Sequence, residues 1–195
     1  LPHLNTLHLS LDWFTDHPFT VDSLTPLADC QKLTDLRLSR DISVADLNSL
    51  GTFNRLITLH FSFRPHEIKY DFDWNRALAP LRDLPQLRHL STKGEPSTKG
   101  FIAALPQTLQ TLSLGFKDFK SSRSTLFDLR LHLRNLRLLR IRVAETHDFF
   151  EVRTYVATRN KHLRVVPIDE YGVEVSESAL RIKHSVYEGI GLNSA

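Results

Sequence analysis

The stretch LRNLRLLRIR, residues 133–142, contains four arginines, four leucines and one isoleucine in ten positions. By itself it fits two structures. A basic amphipathic helix of this composition would bind nucleic acid or a membrane surface, whereas a strand would bury its leucines and expose its arginines. The first nine residues, LRNLRLLRI (133–141), have counterparts elsewhere in the chain, and these counterparts decide between the two structures.

Seven nonapeptides along the chain share one pattern of apolar residues. They are LPHLNTLHL (1–9), CQKLTDLRL (30–38), FNRLITLHF (53–61), LPQLRHLST (84–92), PQTLQTLSL (106–114), LRNLRLLRI (133–141) and NKHLRVVPI (160–168). Positions four, seven and nine are apolar at 20 of 21 places, and only Thr92 departs. The position-four leucines follow one another at intervals of 22 to 31 residues.

This pattern and its spacing resemble the leucine-rich-repeat family over nearly the whole chain. Positions seven to nine alternate with period two, so each copy is predicted to contain a short strand with its apolar side chains in the core. One repeat cannot bury that face alone, and stacking of neighbours produces a continuous core. The resemblance implies an α/β fold: a right-handed solenoid of about seven irregular repeats, with parallel strands on the concave face and short helices on the convex face.

Helix signals lie between the predicted strands. The segments are 21–30, 43–53, 73–84, 97–105 and 147–159. Ser43, Asp73 and Ser97 are suitable N-cap residues for three of them. Pro80 is expected to bend or interrupt the third. We therefore assign residues 1–168 to the solenoid and 169–195 to a C-terminal capping segment or a truncated continuation.

The residue that follows each predicted strand distinguishes regular from irregular leucine-rich repeats. Regular leucine-rich repeats often carry Asn or Cys three residues after the last strand leucine. Here those places hold Asp12, Asp41, Arg64, Glu95, Lys117 and Ala144. The irregular repeats resemble those of F-box leucine-rich-repeat proteins, notably fungal ones. This resemblance implies the substrate-recognition solenoid of an SCF-type ubiquitin ligase, bound to the Skp1 adaptor only through an F-box that is not visible in these residues.

Two surfaces are candidates for binding a protein partner. The first is the concave face, which we define as the side chains at positions six, eight and ten of the copies. Its candidate residues are His8, Arg37, His60, His89, Lys93, Leu138, Arg140 and Arg142. The second is a set of aromatic residues expected in rim loops after the strands, where they could anchor an interface. They are Trp13, Phe14, Phe63, Tyr70, Phe72, Trp74 and Phe116.

No catalytic motif, cofactor motif or metal-ligand spacing emerges, so we expect no enzyme activity and no cofactor. STKGEPSTKG (91–100) lacks the glycine spacing that cradles phosphates. His60 and His66 are six residues apart without accompanying cysteines, which does not indicate a metal site. Cys30 occupies the first position of a repeat copy and is expected to be a buried, inert thiol.

Composition indicates a folded domain in a reducing compartment. The 195 residues are 41% apolar and 24% charged, near globular averages. One cysteine excludes an internal disulfide framework and, without a visible signal peptide or membrane-spanning run, favours the cytoplasm or nucleus. The chain starts at Leu1 and contains no methionine, which indicates a fragment or a domain of a longer protein.

Two alternatives to a protein-binding function remain open, and the first comes from the distribution of charge. Residues 99–164 carry 13 Lys or Arg against 5 Asp or Glu, although the net charge of the whole chain is only +3. This basic region allows an RNA-binding or RNA-processing role, which is less favoured than protein binding. The basic residues concerned are Lys117, Lys120, Arg123, Arg130, Arg134, Arg137, Arg140 and Arg142. A structural subunit of a large assembly is the other alternative.

Overall fold

The computed structural model describes residues 3–9, 24, 27, 29–42, 44–63, 73–93, 100–116, 119–143, 146–169, 173–176 and 178. Its strands are Thr6–Leu9 (β1), Asp35–Ile42 (β2), Thr58–Phe63 (β3), His89–Lys93 (β4), Thr111–Phe116 (β5), Leu138–Val143 (β6) and Arg164–Pro167 (β7). Each strand pairs in parallel with the next, and the order in the sheet is the order in the chain. The predicted α/β fold is confirmed: consecutive parallel strands alternate with short helices, consistent with a leucine-rich-repeat solenoid.

One backbone hydrogen bond recurs from copy to copy and stacks the repeats. In each case the amide at position five donates to the position-five carbonyl of the preceding copy. The bonds are Thr34 to Asn5 (2.8 Å), Ile57 to Thr34 (2.9 Å), Arg88 to Ile57 (2.9 Å), Gln110 to Arg88 (2.8 Å), Arg137 to Gln110 (2.9 Å) and Arg164 to Arg137 (2.9 Å). The nonapeptide register found in the sequence is therefore the register in which the first six copies begin to pair.

The seventh strand departs from that register by one residue. The repeat pattern aligns Val166 with Leu139, but in the sheet Val165 pairs with Leu139 and Pro167 with Ile141. The amides of Arg164 and Ile168 donate to β6, so the nitrogen of Pro167 faces away from it. Proline has no N–H to donate, and the shifted register places it where none is needed.

The second strand contains an irregularity that the pattern did not predict. β2 is eight residues long and β3 six, and the register shifts between Arg37 and Asp41. As a result Asp41 lies opposite Ser62, where the repeat pattern places Ser39. Extra residues in one strand of a pair must bulge.

The helices partly match the predicted segments. They are Val44–Leu50 (α1), Trp74–Ala77 (α2), Ala79–Arg82 (α3), Phe119–His132 (α4) and Thr146–Ala157 (α5), with a 3-10 helix at Ile102–Ala104. The segments 43–53 and 147–159 do contain helices. The helix predicted at 97–105 is reduced to the 3-10 turn, and Ser97 lies outside the described residues, as does Ser43. Of 21–30 the structure describes 24, 27, 29 and 30, which make turn-like backbone bonds.

The segment at 73–84 behaves as its sequence indicates. The Asp73 side chain accepts a hydrogen bond from the Arg76 amide at 3.2 Å and caps α2. The helix is broken at Leu78, and α3 resumes with Pro80 in its first turn. Proline is tolerated there because the first helical amides have no partner within the helix.

Helix α4 was not predicted. Of its residues, only Lys120, Arg123 and Arg130 had been singled out, as members of the basic region. Leu126, Leu129 and Leu133 are buried at spacings of three and four residues, which is a helical signal. Polar and basic residues surround these three leucines and conceal the signal.

The core lies between one face of the sheet and the helices. Strand residues contribute Leu36, Leu59, Leu90, Leu112 and Leu139, and helix residues contribute Leu47, Leu126, Leu129 and Val152. Cys30 is buried in the same core, as predicted. No helix in the described part of the chain is long and apolar enough to cross a membrane.

After β7 the described chain turns back over the outer edge of the sheet. Ile168 and Glu174 form an antiparallel bridge, and the Val175 amide donates to the Pro167 carbonyl at 3.0 Å. The turn is closed by the Asp169 side chain, which accepts from the Val173 amide at 2.8 Å. Edge strands present unpaired backbone groups, and this return pairs some of those of β7.

Candidate functional site

The concave face lies on the side of the sheet opposite the core. Side chains alternate along a strand, so positions six and eight project away from the buried position-seven leucines. Across β1 to β6 position six holds Thr6, Asp35, Thr58, His89, Thr111 and Leu138. Position eight holds His8, Arg37, His60, Ser91, Ser113 and Arg140. The face is therefore a set of adjacent rows of mainly polar side chains on one continuous sheet.

At its N-terminal end the face carries an ion-pair cluster centred on Asp35. The Arg37 guanidinium donates to both carboxylate oxygens of Asp35, at 3.1 and 3.3 Å. The His8 Nε2 atom lies 3.4 Å from the same carboxylate. These contacts orient Arg37 and His8 across neighbouring strands.

His89 lies between the acidic and basic ends of the face. Burial lowers the pKa of His89 below its ordinary value of 6.5, and the nearby charges of Arg140 and Arg88 lower it further, while Asp35 opposes them. The imidazole is accordingly neutral at pH 7, and a neutral imidazole has one donor and one acceptor nitrogen.

The C-terminal end of the face is basic and is contacted by the returning chain. Arg140 donates through Nη2 to the Glu174 carboxylate at 3.2 Å, and Arg164 lies 3.8 Å from its other oxygen. The Nε of Arg142 donates to the Asp169 carbonyl at 3.0 Å. The Nε of Arg140 is buried and has no hydrogen-bond partner among the described residues.

The structure brings most of the predicted concave-face residues together. His8, Arg37, His60, His89, Leu138, Arg140 and Arg142 all lie on strands of the one sheet. Lys93 is the last residue of β4 and pairs with Ser62 in the backbone register. The side chain of Lys93 lies outside the described part of the chain. Two further residues of this face were not predicted. The register shift of β7 places Arg164 there, and the returning chain places Glu174 there.

The predicted aromatic rim is corrected in part. Trp74 is only 2% exposed because it is the first residue of α2 and packs edge-on against Phe101, with ring centroids 4.7 Å apart. It belongs to the core and cannot anchor a partner. Phe63 and Phe116 are the last residues of β3 and β5, so they lie in strands rather than in loops. The other predicted rim residues, Trp13, Phe14, Tyr70 and Phe72, lie outside the described residues.

The predicted basic region divides between two surfaces. Arg140 and Arg142 belong to β6 and the concave face, whereas Lys120 and Arg123 are exposed on α4, which packs against the core side of the sheet. Arg134 and Arg137 are exposed in the turn that joins them. Lys117 lies outside the described residues. The region does not form a single basic stripe.

A second surface between α4 and α5 was missed by the sequence analysis. Phe127 and Leu131 of α4 are more than half exposed. Separately, the Arg159 guanidinium stacks on the Tyr155 ring at 3.8 Å, and these two residues line an open groove of about 570 Å³ that Arg123 of α4 also lines.

Neither comparison with known proteins nor a search for metal-binding groups among the described residues assigns a function to this chain. No protein-family model matches the chain, and no curated protein matches it. Within the described residues no three His, Cys, Asp or Glu side chains are grouped to hold a metal ion. The concave face is therefore the candidate functional surface of this chain.

Proposed function

We propose that this chain is a non-enzymatic protein-interaction module that binds its partner on the concave face. The observation that carries the proposal is the alignment of polar and charged side chains from six consecutive strands on a face that the helices leave uncovered. A parallel sheet stacked by repeated backbone bonds loses little conformational entropy on binding, which favours recognition.

We further propose that the module is the substrate-recognition solenoid of an F-box ubiquitin ligase receptor. The support is the sequence resemblance, with its irregular repeats and missing Asn ladder. The test is affinity purification of the full-length protein. Co-purification of Skp1 and a cullin supports the receptor role. Their absence, with other stable partners present, rejects it.

Concave-face binding has its own test, which uses matched charge reversals. The full-length protein carrying Arg37→Glu and Arg140→Glu is compared, by quantitative mass spectrometry of captured proteins, with wild type. The control carries Arg55→Glu and Lys161→Glu, two exposed residues in turns before strands. We expect the first variant to lose the principal partners and the control to keep them. Equal partner sets for both variants would reject the concave face as the binding surface.

Nucleic-acid binding is the less favoured alternative. Its basic residues divide between the α4 surface and the concave face, and Arg140 and Arg164 share an acidic partner in Glu174. A protein that contacts many phosphates loses affinity steeply as salt rises. Titration of a labelled oligouridine at rising salt tests this: tight binding at low salt with a steep loss would favour the RNA role.

A further inference from the structure

We infer that the basic end of the concave face, formed by Arg140, Arg142 and Arg164, binds an acidic segment of a partner protein, and that Glu174 occupies this site within the chain as a competitor. The inference rests on the proposed concave-face function and names the chemistry of the ligand. Its basis is the way in which the returning segment is seated on the last two strands.

A single carboxylate bridges two strands at this end. Glu174 Oε1 lies 3.2 Å from Arg140 of β6, and Oε2 lies 3.8 Å from Arg164 of β7. The two residues are adjacent in the sheet only because Leu138 pairs with Arg164 and Arg140 with Val166 in the shifted register. The chain itself thus shows that this end of the face accepts a carboxylate carried on extended backbone.

The basic end has donors to spare for a longer acidic ligand. A guanidinium carries five N–H groups, and Glu174 accepts from only the Nη2 of Arg140 while it lies 3.8 Å from Arg164. Arg137 is exposed in the turn that leads into the same strand. One carboxylate does not match this number of donors, so a segment with several acidic residues fits better than Glu174 alone.

The contact that Glu174 makes is weak enough to be displaced. The side chains of Arg140, Glu174 and Arg164 are 38%, 42% and 71% exposed. Ion pairs exposed to this degree change an equilibrium by only about two- to fivefold. A partner that supplies several carboxylates would therefore compete successfully with Glu174.

The surroundings favour a polypeptide over nucleic acid. Leu138, which is partly exposed, lies in register with Arg164 and supplies apolar surface beside the arginines, whereas Val166 opposite Arg140 is buried. At the other end of the same face Asp35 offsets the charge of Arg37, so this end offers no net positive charge to a phosphate backbone running along it. An acidic segment with one or two apolar residues matches both features.

The test is fluorescence anisotropy with a labelled decaglutamate peptide and the whole chain. Glu174→Gln removes the competing charge, and we expect the peptide to bind about two- to fivefold more tightly. Arg140→Gln and, separately, the more exposed Arg164→Gln should weaken binding at least about threefold. The matched controls are Glu151→Gln on α5 and Arg82→Gln on α3, both exposed, and neither should change affinity.

The remaining outcomes are equally decisive. Thermal melting of each variant shows whether it is folded. If Arg140→Gln does not fold, the Arg164→Gln variant alone supports or rejects the site. Unchanged or weaker peptide binding by Glu174→Gln overturns the inference. Tighter binding of a labelled oligouridine than of decaglutamate, sensitive to Arg140→Gln, also overturns it in favour of nucleic acid. If decaglutamate does not bind while the Arg37→Glu, Arg140→Glu variant still loses its captured partners, the acidic-ligand inference fails and the proposed function stands.

Discussion

Thr92 of β4 pairs with Phe61 of β3, and both side chains point into the core. Phe61 is fully buried and Thr92 is only 5% exposed, although Thr92 is the one polar residue at a core place of the repeat. Its hydroxyl has no hydrogen-bond partner among the described residues. A buried polar group without a partner lowers stability, so the exception in the pattern is also an energetic defect.

Replacing Thr92 by valine should correct this defect. Valine has nearly the same shape and no hydroxyl, so Thr92→Val is expected to raise the free energy of unfolding by about 1 kcal/mol in urea titration. Thr108→Val is the matched control, because the Thr108 hydroxyl donates to the Leu87 carbonyl at 2.7 Å. That substitution should lower stability by about 1 kcal/mol. Destabilisation by Thr92→Val would show that its hydroxyl is satisfied in solution.

Trp74 should behave as a core residue. Because it is buried against Phe101, Trp74→Ala is expected to cost about 3–5 kcal/mol of unfolding free energy, measured by urea denaturation. Trp74→Phe keeps an aromatic ring and should cost clearly less. An anchor on an exposed rim would behave differently: its removal would leave stability unchanged and reduce partner capture alone.

Replacing Gly100 by a residue with a side chain should lower stability, because its backbone conformation favours glycine. Its φ is +90°, whereas a Cβ placed there would meet no other atom within 4 Å. Gly100→Ala is therefore expected to lower the free energy of unfolding by about 1–2 kcal/mol through strain alone. Gly100→Asn should cost less, since asparagine tolerates left-handed backbone better. Equal stability of the alanine variant and wild type in thermal melts would contradict this conformation.

His89 should make stability depend on pH in a defined direction. Since burial, Arg140 and Arg88 lower its pKa below 6.5 in the folded protein, the unfolded chain binds the proton more readily. The free energy of unfolding should be highest above pH 6.5, fall as the pH drops through 6.5, and level off below the folded pKa. His89→Gln should remove this part of the slope.

The pKa of His89 can also be measured directly by NMR titration of its ring protons in the folded chain. Arg140→Gln removes a positive charge that lowers this pKa and should raise it. A His89 pKa at or above 6.5 in the wild-type protein would contradict the burial of the ring near these two positive charges.

Much of the fold could be predicted from local pattern. The period-two leucines predict strands, their regular recurrence predicts parallel stacking, and the position-five hydrogen bonds show that the same register holds between coils. Asp73 and Pro80 likewise predict where α2 begins and why the helical segment breaks. These features follow from the sequence because burial of an apolar face and capping of a helix depend on residues close together in the chain.

Other features were decided only by tertiary structure. From sequence Trp74 was expected in an exposed rim loop, but in the structure it packs against Phe101. The buried leucines of α4 lie among polar and basic residues, so their helical spacing was not recognised. The register of β7 depends on which of its own amides face β6, because Pro167 has no N–H to donate. The contact of Arg140 with Glu174 joins residues 34 apart. The sequence by itself determined which side chains of β1 to β6 face the core, because that depends on local periodicity. Which charges meet on the exposed face depends on distant backbone pairing, and only the assembled sheet determined it.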